Sequence, residues 1–193
     1  MAAALQLPTH SFPTGKAWNT WLKEHHNDSQ GIWLRIFKKV TGKPTVTYAE
    51  ALDEALCFGW IDSQKKGYDA ESWLQKFSPR RPRSIWSKTN TQHIERLKKE
   101  GKMEKAGLAA VDAAKQDGRW DRAYHSQKTA VVPKDFLKLL SKQKNAYMFF
   151  KTLNKANLYS IIFRLQQAKT PQARARRMEN IIAMLANGEK FHE

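Results

Sequence analysis

The spacing of apolar residues changes along this chain of 193 residues. Before Gly118, segments that alternate apolar and polar residues stand between segments with helical spacing. Beyond Val132 only helical spacing remains, and the pattern i, i+3, i+4, i+7 occurs three times. Its members are Ala146, Phe149, Phe150 and Leu153, then Leu158, Ile161, Ile162 and Leu165, then Met178, Ile181, Ile182 and Leu185. We therefore predict an α+β domain over residues 1–118 and an all-helical segment over residues 119–193.

Alternating segments in the first part predict a small antiparallel sheet with flanking helices. In the first of them, three aliphatic residues share one face while Trp33, Arg35 and Phe37 share the other, so both faces are expected to be partly covered. The next two are short and are separated by a Gly-Tyr-Asp turn, which predicts a hairpin. The predicted strands are residues 31–39, 60–66 and 72–77.

Capping residues mark the helices of the first part. Thr14 precedes a segment with apolar residues at helical spacing, and Thr47 with Glu50 forms a capping box ahead of another such segment. Glycines at the end of apolar stripes predict where helices stop. The predicted stops are Gly59, Gly101 and Gly118.

The formal charge of +16 is unevenly distributed. Lys and Arg number 6 against 5 acids in residues 1–59, 11 against 5 in residues 60–103, and 17 against 8 in residues 104–193. Such a field attracts nucleic acid, anionic lipid surfaces or acidic proteins, and it does not determine the fold. The charge therefore predicts a polyanion as the binding partner.

Residues 76–88 combine five basic residues with two prolines and no acid, which predicts an exposed loop. Arginine forks bind phosphates, and aromatic side chains stack on bases. The predicted polyanion-binding residues are Lys76, Arg80, Arg81, Arg83, Trp86 and Lys88. A second interpretation has equal weight, in which the arginines pair with Asp62, Asp69 or Glu71 and the tryptophan lies in the core.

A second basic cluster lies near the C-terminus. Arg174 lies four residues before Met178 along an apolar stripe, so we interpret it as a structural residue paired between helices. Arg176 points away from that stripe and is interpreted as solvated.

Catalytic and metal-binding motifs were not found in the sequence. Cys57 is the single cysteine and lies beside an apolar helical stripe, so we predict a buried, inert thiol. The six histidines show no metal-ligand spacing, and no glycine-rich phosphate loop occurs. We expect no metal and no cofactor, and a non-enzymatic role is favoured over an enzymatic one.

One alternative is a small-molecule or enzymatic pocket. The pair Asp62 and Ser63 leaves a predicted strand next to Trp60, and an acid at such a place can act as a base or bind an arginine. The predicted pocket residues are Trp60, Asp62 and Ser63, together with Arg80 and Trp86. A structural ion pair of Asp62 with the arginine loop is the favoured interpretation.

Targeting features also point to the cytoplasm as the expected location. A lone cysteine suits a reducing compartment, and residues 1–13 lack the basic start and long apolar core of a signal peptide. No apolar run approaches the roughly 20 residues that a membrane-spanning helix needs. The oligomeric state is left open by the sequence.

Five segments closely resemble the YdeI/OmpD-associated family, also called bacteriocin-protection proteins. Two of them are residues 48–63 (YAEALDEALCFGWIDS) and residues 77–90 (FSPRRPRSIWSKTN). The others are residues 107–111 (GLAAV), 117–121 (DGRWD) and 168–178 (AKTPQARARRM). The resemblance covers nearly the whole chain, and Gln172 departs from it at a position where a glutamate is expected.

The resemblance implies a YjbR/CyaY-like α+β domain followed by a helical C-terminal segment. It carries no catalytic residues, because the family has no established reaction. YjbR-like domains have been proposed to bind DNA, which agrees with a nucleic-acid or polyanion-binding module as the leading hypothesis. The family name suggests the rival hypothesis, a stress or antimicrobial-resistance adaptor that binds an acidic protein partner.

Overall fold

The protein is described by a computed structural model over residues 6–193. Residues 1–5, which belong to the segment considered above as a signal peptide, lie outside the described residues. The chain divides into two compact units. The first runs to Ile85 and also contains Asn90–Trp120, and the second comprises Trp86–Thr89 and Asp121–Glu193. The fold is α+β, with a small four-stranded sheet and eight α-helices over the described residues.

The first unit contains the sheet and most of the residues of four helices. Its strands are β1 (Thr9–His10), β2 (Ile32–Phe37), β3 (Trp60–Gly67) and β4 (Ser72–Pro79). Its helices are α1 (Gly15–His25), α2 (Tyr48–Cys57), α3 (Lys88–Lys99, whose first two residues belong to the second unit) and α4 (Lys105–Gln116). The predicted caps are confirmed: Thr14 precedes α1, and Thr47 forms a capping box with Glu50 at the start of α2.

The sheet has the strand order β1-β2-β4-β3 and is mixed. The pairs β2–β4 and β4–β3 are antiparallel, as predicted, whereas β1 pairs with β2 in parallel. The prediction of a purely antiparallel sheet is therefore incomplete. Two residues are too few for β1 to show alternation in the sequence, and its pairing includes a bond from the Trp33 amide to the Pro8 carbonyl at 2.9 Å.

Aromatic side chains fill the space between α1 and the sheet. Trp18 is fully buried, and its ring centroid lies 5.3 Å from that of Trp21 and 5.8 Å from that of Phe77. The indole N–H of Trp18 donates to the Ala51 carbonyl of α2 at 3.0 Å, so its polar atom is satisfied inside the core. Trp60 is also buried, and its indole donates to the His26 carbonyl at 3.1 Å.

Gly107 allows α4 to approach the end of α2 closely. A Cβ atom at this position would lie 2.1 Å from the Cys57 carbonyl oxygen, which also accepts a bond from the Glu104 amide. Real Cβ atoms do not approach an oxygen so closely, so only glycine fits there. The contact buries Cys57, which is 1% exposed, in agreement with the prediction of a buried thiol.

The second unit packs short helices around an aliphatic core. They are α5 (Lys134–Leu140), α6 (Lys144–Phe150), α7 (Lys155–Gln166) and α8 (Pro171–Ala186). The three helical repeats of the sequence fall on α6, α7 and α8, except that Leu153 of the first repeat follows the end of α6. The core residues are Phe136, Leu140, Ala146, Ile161, Leu165, Ile181, Ile182 and Leu185.

Arg174 joins two helices of the second unit. Its Nη1 and Nη2 atoms donate to the carboxylate oxygens of Asp135 on α5, at 2.5 and 3.1 Å. This pairing between helices confirms the structural interpretation of Arg174. Arg176 is exposed, also as predicted. Over the described part of the chain, no helix has the length and apolar character needed to cross a membrane.

Candidate nucleic-acid interface

One face of the sheet carries aromatic and basic side chains and points away from α1. Phe77 and Ile32 lie opposite each other in the β2–β4 register, and Phe77 contacts Trp18, so their face is covered by α1. Side chains alternate along a strand, so Trp33, Arg35 and Phe37 belong to the other face. We call that other side the outer face.

The β4 strand adds Lys76 to the outer face. The register places Lys76 directly opposite Trp33 and Leu74 opposite Arg35, and directly opposed residues share a face in an antiparallel pair. Leu74 is buried, whereas Trp33, Arg35 and Lys76 are half-buried. The prediction that both faces of β2 are partly covered is thus confirmed, since the outer face is partly covered by its own long side chains.

Cations lie over the aromatic rings of the outer face. The Lys66 ammonium is 4.1 Å from the ring centroid of Trp33, and the Arg35 guanidinium is 4.5 Å from that of Phe37 and 5.1 Å from that of Tyr68. These distances are typical of cation–π contacts. The outer face is therefore a layer in which cations alternate with aromatic rings.

Acids neutralise this face only in part. Asp69 pairs with Arg35 at 2.7 Å, and Glu71 pairs with Lys43 at 2.5 Å. The pKa of the Asp69 carboxyl lies below its usual value, mainly because the Ser72 hydroxyl donates a hydrogen bond to it. Backbone hydrogen bonds and the charge of Arg35 act in the same direction, so Asp69 stays ionised. Lys66 and Lys76 take part in none of the ion pairs found over residues 6–193. The face therefore keeps a positive excess.

Beyond β4 the chain makes a tight turn, which we call the arginine turn (residues 81–84). The Ser84 amide donates to the Arg81 carbonyl, and the Arg81 amide donates to the Ser84 hydroxyl, both at 2.9 Å. Pro82 stands at the second position, where its fixed φ favours a turn. Arg81 and Arg83 are exposed, so their guanidiniums project from a hydrogen-bonded turn into solvent.

Two further contacts fix the arginine turn to its own unit. The Arg80 amide donates to the Gly59 carbonyl at 3.0 Å, and Nη1 of Arg119 donates to the Ser84 carbonyl at 2.9 Å. Arg119 is itself held by the Asp117 carboxylate at 2.6 Å. No pattern in the sequence predicts this contact of Arg119, although Arg119 lies in the segment DGRWD that resembles the YdeI/OmpD-associated family.

The predicted loop residues are not equivalent in the structure. Lys76 lies in β4, so the irregular segment begins at Arg80. Nη1 of Arg80 donates to the Ile85 carbonyl at 3.2 Å, and its Nε and Nη2 atoms are buried. Trp86 is 1% exposed and belongs to the second unit, as does Lys88. In this conformation Trp86 presents no open ring face to a base.

The acids proposed as partners of the arginine loop form other bonds. Asp69 and Glu71 pair with Arg35 and Lys43, as described above. The Tyr48 hydroxyl donates to Asp62 Oδ2 at 2.7 Å. Burial and this contact raise the pKa of the Tyr48 hydroxyl above its usual value.

The residues of the predicted small-molecule pocket are differently placed. Trp60 is part of the core, as described above, and Asp62 is half-buried beside Tyr48. Ser63 is exposed, in a stretch of β3 where the register with β4 shifts. A pocket formed by these residues stays a prediction.

Cys57 and His93 are two further candidates for chemistry. Burial raises the pKa of the Cys57 thiol to about 12, so this cysteine is protonated and unreactive at neutral pH. His93 Nδ1 lies 2.6 Å from Asp53 Oδ1, and Arg96 shares that carboxylate. Over residues 6–193, no group of three or more His, Cys, Asp or Glu side chains is arranged to hold a metal ion.

Comparison with known proteins places the chain among families without an assigned activity. Residues 10–110 match the model of a domain of unknown function, DUF8412, and residues 129–188 match the model described as Bacteriocin-protection, YdeI or OmpD-Associated. No curated protein and no solved structure matches the chain. The likeness of the first part to YjbR/CyaY-like domains stays a prediction. The chain belongs to the DUF8412 family, and its C-terminal part supports the YdeI/OmpD-associated resemblance of the sequence.

Proposed function

We propose that this protein binds single-stranded nucleic acid through the outer face of its sheet, with the arginine turn as an additional phosphate contact. The observation that carries the proposal is the alternation of cations and aromatic rings on the outer face. Aromatic rings stack on bases of any sequence, and neighbouring cations attract the phosphates that link them. A single strand fits because its bases are free to leave a helical stack.

The spacing on the outer face supports this choice of ligand. Trp33 and Phe37 lie four residues apart on the same strand, which separates them by roughly 13 Å at about 3.3 Å per residue. Lys66 covers the Trp33 ring in the free protein. A base that stacks on this ring would displace the Lys66 ammonium, which can then bind the phosphate next to that base. Lys76 stands beside the same ring on the neighbouring strand and provides a second cation.

The arginine turn supports phosphate binding. Arg81 and Arg83 are exposed, and hydrogen bonds fix the backbone of the turn, so little backbone entropy is lost when a strand binds. Guanidinium groups make bidentate bonds to phosphate oxygens. The turn therefore contributes affinity without sequence preference.

The test is a fluorescence-anisotropy titration of a labelled oligo(dT) strand and of a labelled duplex at low salt. The outer-face variant carries Trp33→Leu and Lys66→Gln. We expect it to bind the single strand about tenfold or more weakly than wild type, since loss of one stacked base costs about 1–3 kcal/mol. Wild type is expected to bind the duplex more weakly than the single strand, because paired bases are not free to stack.

The sheet offers a matched control on its helix-covered face. The Lys65 ammonium lies 4.3 Å from the ring centroid of Trp73, and Trp73 stands opposite Ile36 on the covered side. The control variant, Trp73→Leu with Lys65→Gln, removes the same two side-chain types and the same charge. Its affinity should stay within about twofold of wild type. Equal losses in the two variants would show that only net charge matters and would refute the outer face as the site.

A further inference from the structure

The second unit contains a cleft that the proposed function does not use. It has a volume of about 620 Å³ and lies between α7, α8 and the residues that follow α8. Its apolar wall consists of Phe163, Ile181, Met184 and Phe191. Cavities of roughly 300–1,000 Å³ with apolar walls and a few polar groups are typical of small-molecule sites.

Two arginines border this cleft. The Arg164 guanidinium lies 3.8 Å from the ring centroid of Phe191, and its Nη1 donates to the Ser160 carbonyl at 3.3 Å. Nη1 of Arg177 donates to the Arg164 carbonyl at 2.5 Å. Each guanidinium is thus positioned by a backbone oxygen through one nitrogen. The other N–H groups remain for a ligand.

Carboxylates do not neutralise these arginines. None of the ion pairs found over residues 6–193 includes Arg164 or Arg177. By contrast, Arg174 on the same helix is paired with Asp135. The other polar residues of the cleft are the neutral amides Gln167 and Asn180. The cleft therefore joins an apolar wall to two positive charges without a negative one.

A buried asparagine fixes one wall of the cleft. Asn157 is 1% exposed, and its Oδ1 accepts from the amides of Phe191 and His192 at 2.9 and 3.0 Å. Its Nδ2 donates to the His192 carbonyl at 3.1 Å. These bonds hold the segment after α8 against α7, so the Phe191 ring is in place before any ligand binds.

We propose that this cleft binds a small amphipathic anion, with an apolar chain against the aromatic wall and one carboxylate or phosphate head group between Arg164 and Arg177. Guanidinium forks match both head groups, and charge-assisted bonds of this kind are stronger than neutral ones. The apolar wall adds a favourable contact for a tail, which a highly charged ligand without a tail lacks.

An NMR chemical-shift titration of the full chain tests this proposal. The probes are decanoate, decyl phosphate and decan-1-ol, each kept below its micelle or solubility limit. At least one anion is expected to bind about tenfold or more tightly than decan-1-ol, with the shifts concentrated on α7, α8 and Phe191. The tighter of the two anions identifies the head group. Equal affinity for decan-1-ol, or shifts centred elsewhere, would overturn the proposal.

Substitutions in the cleft test whether the preference for anions depends on its two arginines. Arg164→Gln with Arg177→Gln is expected to remove the preference for the anions, whereas Arg176→Gln, on an exposed neighbour outside the cleft, should leave it unchanged. A folded double variant that keeps the preference would refute the role of the arginines. If the double variant does not fold, Met184→Trp fills the cleft and keeps both arginines. It should abolish binding of all three probes, and unchanged binding would again refute the site.

Discussion

Both units place basic side chains next to aromatic rings, but the surfaces that carry them differ in shape. On the sheet of the first unit, Arg35 and Lys66 lie over aromatic rings on a broad face, and neighbouring acids pair with only some of its cations. In the second unit, Arg164 and Arg177 border a concave cleft with an aromatic wall. A broad face suits an extended polymer with many charges, whereas a cleft suits one head group and one tail.

This difference shows why the net charge of +16 cannot locate a site. Charge governs encounter with any anion, while shape and neutralisation determine which anion stays bound. Arg174 illustrates the point, because it lies near Arg177 in sequence but is paired with Asp135. Changes in one unit are therefore expected to leave the binding properties of the other unchanged.

The largest effect is expected from Gly107→Ala in the first unit. The added methyl group would clash with the Cys57 carbonyl, so α4 must move away from α2. We expect a destabilisation of about 3 kcal/mol, at the upper end for an overpacked core. Urea unfolding followed by tryptophan fluorescence measures it.

A matched change is Ala109→Ser in the same helix. Ala109 is exposed, so the stability of this variant should stay within about 0.5 kcal/mol of wild type. If Gly107→Ala proved equally harmless, the close approach of α4 to the end of α2 would be incorrect.

A smaller effect is expected from Asn157→Leu in the second unit. The change leaves the part-buried amides of Phe191 and His192 without their acceptor, which is expected to cost about 1–2 kcal/mol. Because Phe191 is a wall of the cleft, decanoate binding should weaken. Oligonucleotide affinity should not change, and a parallel loss of both activities would contradict the assignment of the two sites to separate units.

The smallest stability effect is expected at alkaline pH, where the Cys57 thiol ionises. It reports on the first unit alone, because Cys57 is the only cysteine of the chain. Its folded pKa is raised to about 12 from a usual value of 9.0, so the native state keeps the thiol proton at a pH where the unfolded state loses it. Stability is unaffected below pH 9 and falls as the pH rises from about 9 towards 12.

Urea unfolding at pH 8 and pH 9.7 measures this effect in wild type and Cys57→Ala. Wild type should lose about 1 kcal/mol more than the variant between these two values. The variant corrects for the titration of Tyr48, whose pKa is also raised. Identical losses would mean that the thiol is not buried in the native state.

The sequence predicted helices and strands well where local signals exist. The capping box of Thr47 and Glu50, the hairpin of β3 and β4, and the three repeats on α6 to α8 all have periodic or capping patterns that act over a few residues. Strand β1 has no such pattern, because two residues cannot show alternation. Its pairing depends on a partner more than 20 residues away.

The sites were harder to predict, because they depend on contacts between distant segments. The outer face combines β2, β3 and β4, and its members Trp33, Lys66 and Lys76 come together only through the strand register. Of the residues predicted from the sequence to bind a polyanion, Lys76, Arg81 and Arg83 belong to the proposed site, and their role stays a prediction. The cleft of the second unit was missed entirely, since Phe191 reaches it through a tail that follows the last helix.

The most direct test of the central claim is the salt dependence of oligo(dT) binding by wild type and by a variant with Arg81→Gln and Arg83→Gln. If phosphates are bound, log K should fall linearly with log salt, and loss of two contacts should make the slope shallower by about 1.4 at roughly 0.7 per single-strand phosphate. That result would support nucleic-acid binding and the arginine turn as part of the site. Affinity that is absent at low salt, or that does not change with salt, would contradict the account.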